Sequence, residues 1–295
     1  MTVTPICAGR VVVVTGAGQG IGRAHAHAFG RAGARVVVND LSAGAAAAVV
    51  AEVRDCGGTA DACPGDVADW AFARHLVEYA VTTFGDLHAL VNNAGLVRDR
   101  MLVGCTEAEW DEAVRVNLKG HAAPMRHAAA YWRERAKTGA AVDARVVNTS
   151  SGAGLFGSVG QANYSAAKAG IAAFTLVAAT ELGRYGVLAN TIAPSARTRM
   201  TEDAFPDMMA RPASGFDRMD PANVSPIVVW LGSADCDVTG QAFEVQGGEL
   251  TLATGWTRGP QVDNGSRWAP AAVGAAARQL VAAKPPQVPV YGSST

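Results

Sequence analysis

The sequence has little charge of either sign and no charged block. Its 295 residues carry 25 Lys and Arg against 26 Asp and Glu, which gives a formal net charge of -1. A protein that captures nucleic acid or an anionic membrane surface by electrostatics needs a clustered basic patch. The composition therefore favours a small-molecule partner and gives no reason to expect nucleic acid.

Cysteine and histidine are few and show no metal-ligand spacing. The two nearest histidines, His25 and His27, point to different faces of a predicted helix, and no Cys-x-x-Cys pair occurs. Scattered cysteines argue against a disulfide framework and are typical of a reducing compartment. We therefore expect a cytoplasmic protein without a catalytic metal. The cysteines are Cys7, Cys56, Cys63, Cys105 and Cys236.

Long apolar runs are also missing. No segment approaches 18 unbroken apolar residues, so the sequence predicts no membrane span. The first ten residues lack the basic start and apolar core of a signal peptide. With 49% hydrophobic residues the chain can bury a large core. We expect a soluble protein with one domain over residues 1–250 and a C-terminal extension over 251–295, mobile at its end.

Short apolar strands alternate with helical segments along most of the chain. This alternation is typical of a parallel sheet covered by helices on both faces. We predict an α/β fold, a Rossmann-type doubly wound parallel sheet of about seven strands, with a loop or lid over 201–220. The predicted strands are 11–15, 35–39, 60–63, 88–91, 144–149, 187–192 and 241–245. The predicted helices are 23–32, 42–56, 69–84, 106–137, 161–185, 222–231 and 269–283.

A glycine-rich turn, Thr15-Gly-Ala-Gly-Gln-Gly-Ile-Gly22, joins the first predicted strand to the first helix. Backbone N–H groups and the helix dipole can bind a pyrophosphate at such a position. The strict Gly-x-Gly-x-x-Gly spacing is absent, because Ile21 stands where its third glycine would be. Asp40 follows the second strand, as a ribose-binding carboxylate would. The pattern predicts a dinucleotide site, and its alternative is an ordinary structural turn.

Polar residues also follow the third and fourth strands. Asp66 can accept a hydrogen bond from an adenine amino group, and Asn93-Ala94-Gly95 can lie against a cofactor ribose. Both follow carboxyl ends of strands, where open α/β sheets bind ligands. Asn117 is a poor helix former within a predicted helix, which water binding near the site or plain surface exposure can explain.

Tyr164 and Lys168 are four residues apart on a predicted helix, so they share one face. Tyrosine, with a pKa of about 10, is a poor base at neutral pH. A cation ~4 Å away, at an effective dielectric of ~20, is worth ~4 kcal/mol, or about three pKa units. Ser151 follows the fifth strand and can hold a substrate oxygen while Tyr164 moves the proton. The alternative is an ordinary surface Tyr and Lys.

Together these motifs resemble the short-chain dehydrogenase/reductase family in order and spacing, over about residues 8 to 250. The motifs are Thr15-Gly-x-x-x-Gly-x-Gly22, Asp66, Asn92-Asn-Ala-Gly95, Asn117, Ser151, Tyr164-x-x-x-Lys168 and Pro194. The resemblance implies a tetrad of Asn117, Ser151, Tyr164 and Lys168, with Lys168 also holding the nicotinamide ribose. Asp40 favours NAD over NADP, and Ser195 stands where the family usually has glycine. The implied cofactor-binding residues are Gly16, Gln19, Gly20, Ile21, Gly22, Asp40, Leu41, Asp66, Val67, Asn93, Ala94, Gly95, Tyr164, Lys168, Pro194 and Thr198.

A narrower resemblance lies in the stretches 36–41, 92–101, 160–168 and 190–201. They are similar to the (3R)-hydroxyacyl-CoA dehydrogenase portion of peroxisomal multifunctional enzymes of type 2 and to bacterial relatives. This resemblance implies interconversion of a (3R)-hydroxyacyl-CoA and its 3-ketoacyl-CoA in lipid or sterol side-chain breakdown, by a homo-oligomer, dimer or tetramer. A 17β-hydroxysteroid dehydrogenase is the close alternative. An NADPH-using ketoacyl thioester reductase and a non-catalytic nucleotide-binding protein are the others.

Four arginines follow the strand ends near these motifs: Arg98, Arg100, Arg197 and Arg199. We expect them on the rim of the site, where they would attract the phosphates of CoA. The alternative is that they are ordinary solvated arginines. Apolar residues within 201–216 are expected to cover an acyl chain or a steroid equally well.

Overall fold

The computed structural model describes residues 5–204, 206–265, 267–268 and 270–283. The chain divides into two compact units, with the boundary between Ala253 and Thr254. The second unit contains one described helix, Pro270–Ala282. The predicted mobile end of the extension lies outside the described residues.

An eight-stranded sheet forms the centre of the first unit, in the order β3-β2-β1-β4-β5-β6-β7-β8. All neighbours are parallel except β7 and β8, which are antiparallel. The predicted doubly wound α/β fold is confirmed, and β8 is a strand that the sequence does not predict. The strands are β1 Val11–Val14, β2 Arg35–Val38, β3 Thr59–Ala62, β4 Ala89–Asn92, β5 Ala144–Thr149, β6 Val187–Ser195, β7 Ala242–Gln246 and β8 Glu249–Leu252.

Helices connect the strands and cover both faces of the sheet. Two of them begin as the sequence indicates: the side chains of Ser42 and Asp69 accept N-capping hydrogen bonds from Ala45 N and Phe72 N. The helices are α1 Gly20–Arg31, α2 Ala43–Asp55, α3 Trp70–Phe84, α4 Glu107–Ala113, α5 Gly120–Lys137, α6 Gly152–Phe156, α7 Ala162–Leu182, α8 Arg199–Ala204, α9 Pro206–Met209, α10 Ser225–Gly232 and α11 Pro270–Ala282.

Three predicted elements differ from the structure. The single helix predicted over 106–137 is α4 and α5 joined by a π-helical turn, Val114–Lys119. The segment predicted as a loop over 201–220 contains most of α8 and all of α9. Strand β6 continues to Ser195 because its last residues pair with β7. No described residue other than glycine has positive φ, so serine fits at 195 without strain.

Alternate residues of β1 pack into two separate cores. Val12 and Val14 lie in the core that contains Phe29 of α1, whereas Val11 and Val13 lie in the one that contains Trp132 of α5. All four valines are almost fully buried. Full burial of a Val, Leu or Phe side chain contributes ~1.5–3 kcal/mol. The sandwiched sheet places the carboxyl ends of β1, β4, β5 and β6 along one edge, and the strand order reverses between β1 and β4.

Helix α7, together with its 3-10 extension to Tyr185, is long and apolar enough to cross a membrane by length and composition alone. In this fold it packs against α6, β6 and the π-helical turn, and it carries Tyr164 and Lys168. Within the chain, 39% of its most apolar window is buried. The absence of a membrane span remains a prediction.

Candidate active site

The glycine turn after β1 is fastened to the loop after β4. The Thr15 hydroxyl oxygen accepts hydrogen bonds from Asn93 N (2.9 Å) and Ala94 N (3.1 Å). The Asn93 amide donates to the carbonyl oxygens of Thr15 (3.1 Å) and Gly16 (3.2 Å). Gly16 has φ +60, and a Cβ added there would lie 2.7 Å from Ala94 Cα. Only glycine fits between the two loops, so this close approach depends on Gly16.

Helix α1 presents a polar N-terminus at this turn. Its first turn contains no acidic residue, and the N-cap residue Gln19 makes no side-chain capping bond. The leading N–H groups and the helix dipole are thus available to an anion such as a pyrophosphate. A Cβ on Gly22 would lie 2.2 Å from the Gly16 carbonyl oxygen, so glycine is required for the helix to approach the strand. Ile21 packs against the core with its side chain.

Asp40 is held against the glycine turn by two backbone groups. Its carboxylate accepts from Gly18 N (2.9 Å) and from Ser42 N (2.9 Å). A Cβ on Gly18 would lie 2.7 Å from the carboxylate, so this contact also needs glycine. The next residue, Leu41, is 77% exposed and available to a flat ligand surface. The arrangement places a fixed negative charge beside the turn, as a ribose-binding carboxylate requires.

Asp66 has partners within the protein. Its carboxylate accepts from Ala68 N (2.9 Å) and from Arg115 (2.6 Å). Burial favours the neutral acid, but these two hydrogen bonds outweigh it and hold the pKa of Asp66 below its usual value. An adenine amino group would have to share the carboxylate with Arg115. Val67 is 4% exposed, so its side chain belongs to the core.

Ser151 caps α6 directly after β5. Its hydroxyl oxygen accepts from Ala153 N (3.2 Å), which leaves the hydroxyl hydrogen to donate. The short helix lies tightly on α7, since a Cβ on Gly154 would be 2.6 Å from the backbone carbonyl carbon of Lys168. This packing fixes Ser151 relative to α7.

Lys168 is buried, at 2% exposure. Its ammonium group donates to the Thr149 carbonyl oxygen (2.8 Å) and lies 5.5 Å from the centroid of the Tyr164 ring. Burial lowers the pKa of Lys168 to about 7. At neutral pH a lysine with this pKa is only partly protonated, whereas the Tyr-x-x-x-Lys spacing alone predicts a fully charged one.

Asn117 lies in the π-helical turn and is fully buried, so the alternative of surface exposure is wrong. Its amide donates to the carbonyl oxygens of Leu96 (2.8 Å) and Ala113 (2.9 Å), and its oxygen accepts from Leu96 N (3.3 Å). A Cβ on Gly95 would lie 2.6 Å from this oxygen and 3.4 Å from Lys168 Nζ. The loop after β4, the π-helical turn and α7 therefore meet at Gly95. The predicted water could be bound only by an oxygen of Asn117.

The sequence reasoning missed two residues that fix the start of α7. The buried Asn163 amide donates to the carbonyl oxygens of Arg98 (3.0 Å) and Glu109 (3.2 Å). Gln161 donates to the Asp99 carboxylate (3.0 Å). They hold the loop after β4 against the helix that carries Tyr164. In the sequence, both could have been noticed as amide side chains that precede Tyr164 by three residues and by one residue.

The segment after β6 returns to the N-terminus of α1. Pro194 is half-buried at the end of the strand. A Cβ added at Gly20 would lie 3.5 Å from Thr198 Cγ2, so Thr198 is beside the turn where the pyrophosphate is expected. Arg199 donates a hydrogen bond to the Gln19 side chain. Pro194, Thr198 and the glycine turn are thus brought together, and Arg199 lies at the same place.

The predicted basic rim is only partly present. Arg197 is 5% exposed and donates to the Met209 carbonyl oxygen (3.0 Å), so its place on an exposed rim is wrong. Arg98 and Arg100 are exposed, but each is paired with a carboxylate, at 2.6 Å and 2.8 Å. Neighbouring acids thus neutralise much of the charge that the rim would offer to CoA. The carboxylate partners of Arg98, Arg100 and Arg197 are Glu112, Glu109 and Asp217.

The site can hold a hydroxyl group and move its proton. Ser151 stands at the start of α6, which packs on Lys168 of α7, and Lys168 lies 5.5 Å from the Tyr164 ring centroid and close to Gly95, next to Ala94, which contacts the glycine turn. Within the described ranges no three His, Cys, Asp or Glu side chains form a group that could hold a metal. The absence of a catalytic metal stays a prediction. The geometry is compatible with acid/base chemistry by Tyr164 and Lys168.

Comparison with known proteins places this site among characterised folds and families. Residues 10–208 match the model of the short chain dehydrogenases. Hydroxyacyl-CoA dehydrogenase ChsB1 of Mycobacterium tuberculosis is 46% identical over 299 residues, covering 97% of this chain and 93% of that protein. Peroxisomal multifunctional enzyme type 2 of Drosophila melanogaster is 39% identical over 252 residues, covering 82% of this chain but 40% of that enzyme. The crystal structure of a short chain dehydrogenase from Mycobacterium avium has a TM-score of 0.89 at 57% identity, covering 98% of this chain and 100% of that chain.

Proposed function

Because the chain belongs to the short-chain dehydrogenase family and is an oxidoreductase acting on CH–OH groups, we propose that it uses NAD to interconvert a (3R)-hydroxyacyl-CoA and the 3-ketoacyl-CoA. The observation that carries the proposal is that Lys168 lies beside the Tyr164 ring and near Gly95, in the loop after β4 that contacts the glycine turn. A relative whose name is hydroxyacyl-CoA dehydrogenase matches over nearly the whole chain, which supports the substrate class.

Asp40 supports NAD rather than NADP. Its carboxylate is fixed by Gly18 and Ser42 beside the turn that would hold the cofactor, and NADP carries a phosphate on the adenine ribose. Two like charges ~4 Å apart cost ~1 kcal/mol in water and ~4 kcal/mol at a dielectric of 20. When bound, the nicotinamide supplies the hydride chemistry. The other cofactor-holding groups are the N–H groups at the start of α1, Thr198 and the loop after β4.

The tetrad handles the proton. In the oxidation, Ser151 donates a hydrogen bond to the substrate oxygen, and the Tyr164 phenolate takes the hydroxyl proton. The Lys168 ammonium near the Tyr164 ring favours this phenolate. Asn117 holds the loop after β4 by its hydrogen bonds with Leu96. A water bound to an Asn117 oxygen passes the proton outward.

An exposed apolar surface beside Tyr164 supports an apolar substrate. Residues 101–103 are 60%, 69% and 99% exposed, and Val159 is 84% exposed. The loops that carry them are joined by a hydrogen bond from Arg100 N to the Gly160 carbonyl oxygen (2.7 Å). Exposed apolar side chains grouped on adjoining loops are typical of ligand binding. It suits an acyl chain, and it suits the steroid alternative equally well.

A substrate panel tests the proposed function. Purified protein is assayed for NADH formation with (3R)- and (3S)-hydroxyacyl-CoA of several chain lengths, a free 17β-hydroxysteroid and simple secondary alcohols, each with NAD and with NADP. We expect NAD-dependent oxidation of the (3R)-hydroxyacyl-CoA. Efficient oxidation of the steroid, alongside indifference to every acyl-CoA, would establish the steroid alternative instead.

We also propose that the protein is a homo-oligomer in a reducing, cytoplasmic environment. Only 39% of the most apolar window of α7 is buried within the chain, and Leu176 and Val177 are 55% and 52% exposed. An apolar helix with an open face is typical of a surface that pairs with a second copy. All five cysteines are free thiols. Light scattering of the wild type and of Leu176→Asp tests the assembly, and a monomeric wild type would refute it.

A further inference from the structure

A group of unpartnered polar atoms lies buried behind the tetrad. His121 of α5 is fully buried, one helical turn beyond Asn117, and neither ring nitrogen has a hydrogen-bond partner in the part of the chain that the structure describes. The side-chain oxygens of Asn92 and Thr149 are likewise buried without partners. Such groups are rare in native proteins because burial without a hydrogen bond is costly. The proposed proton handling uses none of these three side chains.

Several elements face the His121 ring. The backbone carbonyl groups of Asn92, Asn117 and Thr149 lie near it, and Lys168 is the neighbouring charged group. Burial, and then the charge of Lys168, holds the pKa of His121 well below its usual value. The ring is therefore neutral and has one N–H to donate among three carbonyl acceptors. One of these, the Thr149 carbonyl, is the group that already accepts from Lys168 at 2.8 Å.

We propose that His121 is a positioning residue for Lys168 that acts through the Thr149 carbonyl group. If Lys168 turns toward the Tyr164 phenol and the cofactor, the Thr149 carbonyl loses its donor inside the core. The His121 N–H then replaces that donor. Without His121 the carbonyl would be left unpaired, so Lys168 would remain on Thr149 and influence Tyr164 less. The inference rests on the proposed dehydrogenase function of the tetrad.

Three variants separate this role from a merely structural one. His121→Phe removes the N–H, and His121→Gln keeps an N–H donor and an acceptor. His25→Phe is the matched control, because His25 is also fully buried but contacts Ser225 (3.0 Å) at the start of α10. The measurements are kcat for oxidation across pH at saturating NAD, the Kd of NADH by fluorescence, and thermal unfolding.

We expect His121→Phe to lower kcat about tenfold or more, the effect of leaving one buried acceptor without its donor. The midpoint of its pH–rate profile should move to higher pH, because Lys168 then favours the phenolate less. His121→Gln should restore the profile, and His25→Phe should lose stability without moving it. A wild-type profile in His121→Phe overturns the proposal. An inactive wild type would instead contradict the proposed function.

A measurement on the wild-type protein avoids the question of whether His121→Phe folds. Nitrogen NMR of the histidine rings, assigned with His121→Gln and His25→Phe, is recorded with and without NADH. We expect the His121 ring nitrogens to shift when NADH draws Lys168 forward, and those of His25 to stay unchanged. A His121 signal that does not respond to saturating NADH overturns the proposal.

Discussion

Lys168 and Arg98 are both cations close to the start of α7, but they differ in their contact with water. Lys168 is 2% exposed and donates to a neutral carbonyl group, and burial lowers its pKa to about 7. The Arg98 side chain is 43% exposed and makes two hydrogen bonds to Glu112, at 2.6 and 3.0 Å, which raise its pKa further. The exposed cation is permanently charged and locally neutralised. The buried one can gain or lose its charge near neutral pH.

This difference indicates that Lys168, and not Arg98, affects the proton transfer. A group whose charge responds to its neighbour can tune the neighbour's proton affinity, as Lys168 is placed to do for Tyr164. A charged group already paired at the surface contributes little to anything else. Substitutions of Lys168 and Tyr164 should therefore change kcat most, and substitutions of the exposed Arg98 and Arg100 should change only the KM of the substrate.

Replacing the Tyr164 phenol should give the largest effect. Tyr164→Phe removes the transferable proton and keeps the ring, so kcat should fall by ~10²- to 10⁴-fold with NADH binding largely retained. The control is Tyr185→Phe, which changes a tyrosine just beyond the end of α7 that contacts Arg184. Steady-state kinetics and NADH fluorescence titration measure the two effects. Near-normal turnover in Tyr164→Phe would remove this residue from the mechanism.

Replacing the buried cation should change how stability depends on pH. The pKa of Lys168 is about 7 in the folded protein, against an ordinary lysine pKa of 10.5. Between these values the unfolded lysine is protonated and the folded one is not, so this group makes stability rise with pH. Removing the buried charge should make Lys168→Met more stable than the wild type by up to ~5 kcal/mol at pH 7, offset by ~1–3 kcal/mol for the Thr149 carbonyl that loses its donor, and the gap should shrink toward pH 10.

Urea unfolding of the wild type and Lys168→Met at pH 7, 8.5 and 9.5 measures this gap. Lys137→Met is the control, because Lys137 is exposed and paired with Glu134. A gap that is the same at all three pH values would show that Lys168 is not desolvated as the structure indicates.

Removing the charge of Asp40 tests cofactor choice. Wild type should prefer NAD over NADP by at least several-fold, since like charges ~4 Å apart cost ~1 to 4 kcal/mol. Asp40→Asn and Asp40→Ala should both improve kcat/KM with NADP, and the asparagine retains an acceptor for Gly18 N. Asp61→Asn, on β3 with Tyr79 as its partner, is the control. Equal efficiency with both cofactors in the wild type would exclude this role for Asp40.

The arginines should give the smallest effect. Replacing Arg98 and Arg100 together with Ala should raise KM for a (3R)-hydroxyacyl-CoA by about twofold to fivefold, because their carboxylate partners already offset much of their charge. The same KM should rise between low and high ionic strength. The control is the double variant Arg74→Ala and Arg133→Ala, which changes the net charge equally and removes two other surface ion pairs. If both double variants behave alike, Arg98 and Arg100 have no specific contact with CoA.

The local sequence pattern was sufficient to predict most strands of the sheet. Strand β5 has the predicted bounds, 144–149, because a short segment around Val146 and Val147, followed by the turn residues at 150–152, is typical of a buried strand. Asp40 lies at the glycine turn as predicted, since the end of β2 neighbours the end of β1 in this fold. Strand β8 was missed because all of its residues are exposed and its sequence has no buried face to show.

The missed features depend on partners distant in sequence. The π-helical turn is fixed by hydrogen bonds between Asn117 and Leu96, which no helical periodicity reveals. Arg197 is buried because Asp217 and the Met209 carbonyl group satisfy it across a loop. The burial of Lys168 follows from how α6 packs on α7, so its lowered pKa could not be read from a Tyr-x-x-x-Lys spacing.

The pH–rate profile of Lys168→Met tests most directly the claim that a buried lysine tunes Tyr164. The measurement is kcat for NAD-dependent oxidation of a (3R)-hydroxyacyl-CoA at saturating cofactor, from pH 6 to 10.5, in the wild type and the variant. Loss of the cation should move the midpoint upward toward ~10, the ordinary pKa of tyrosine. A variant with residual activity and an unchanged midpoint would contradict the claim.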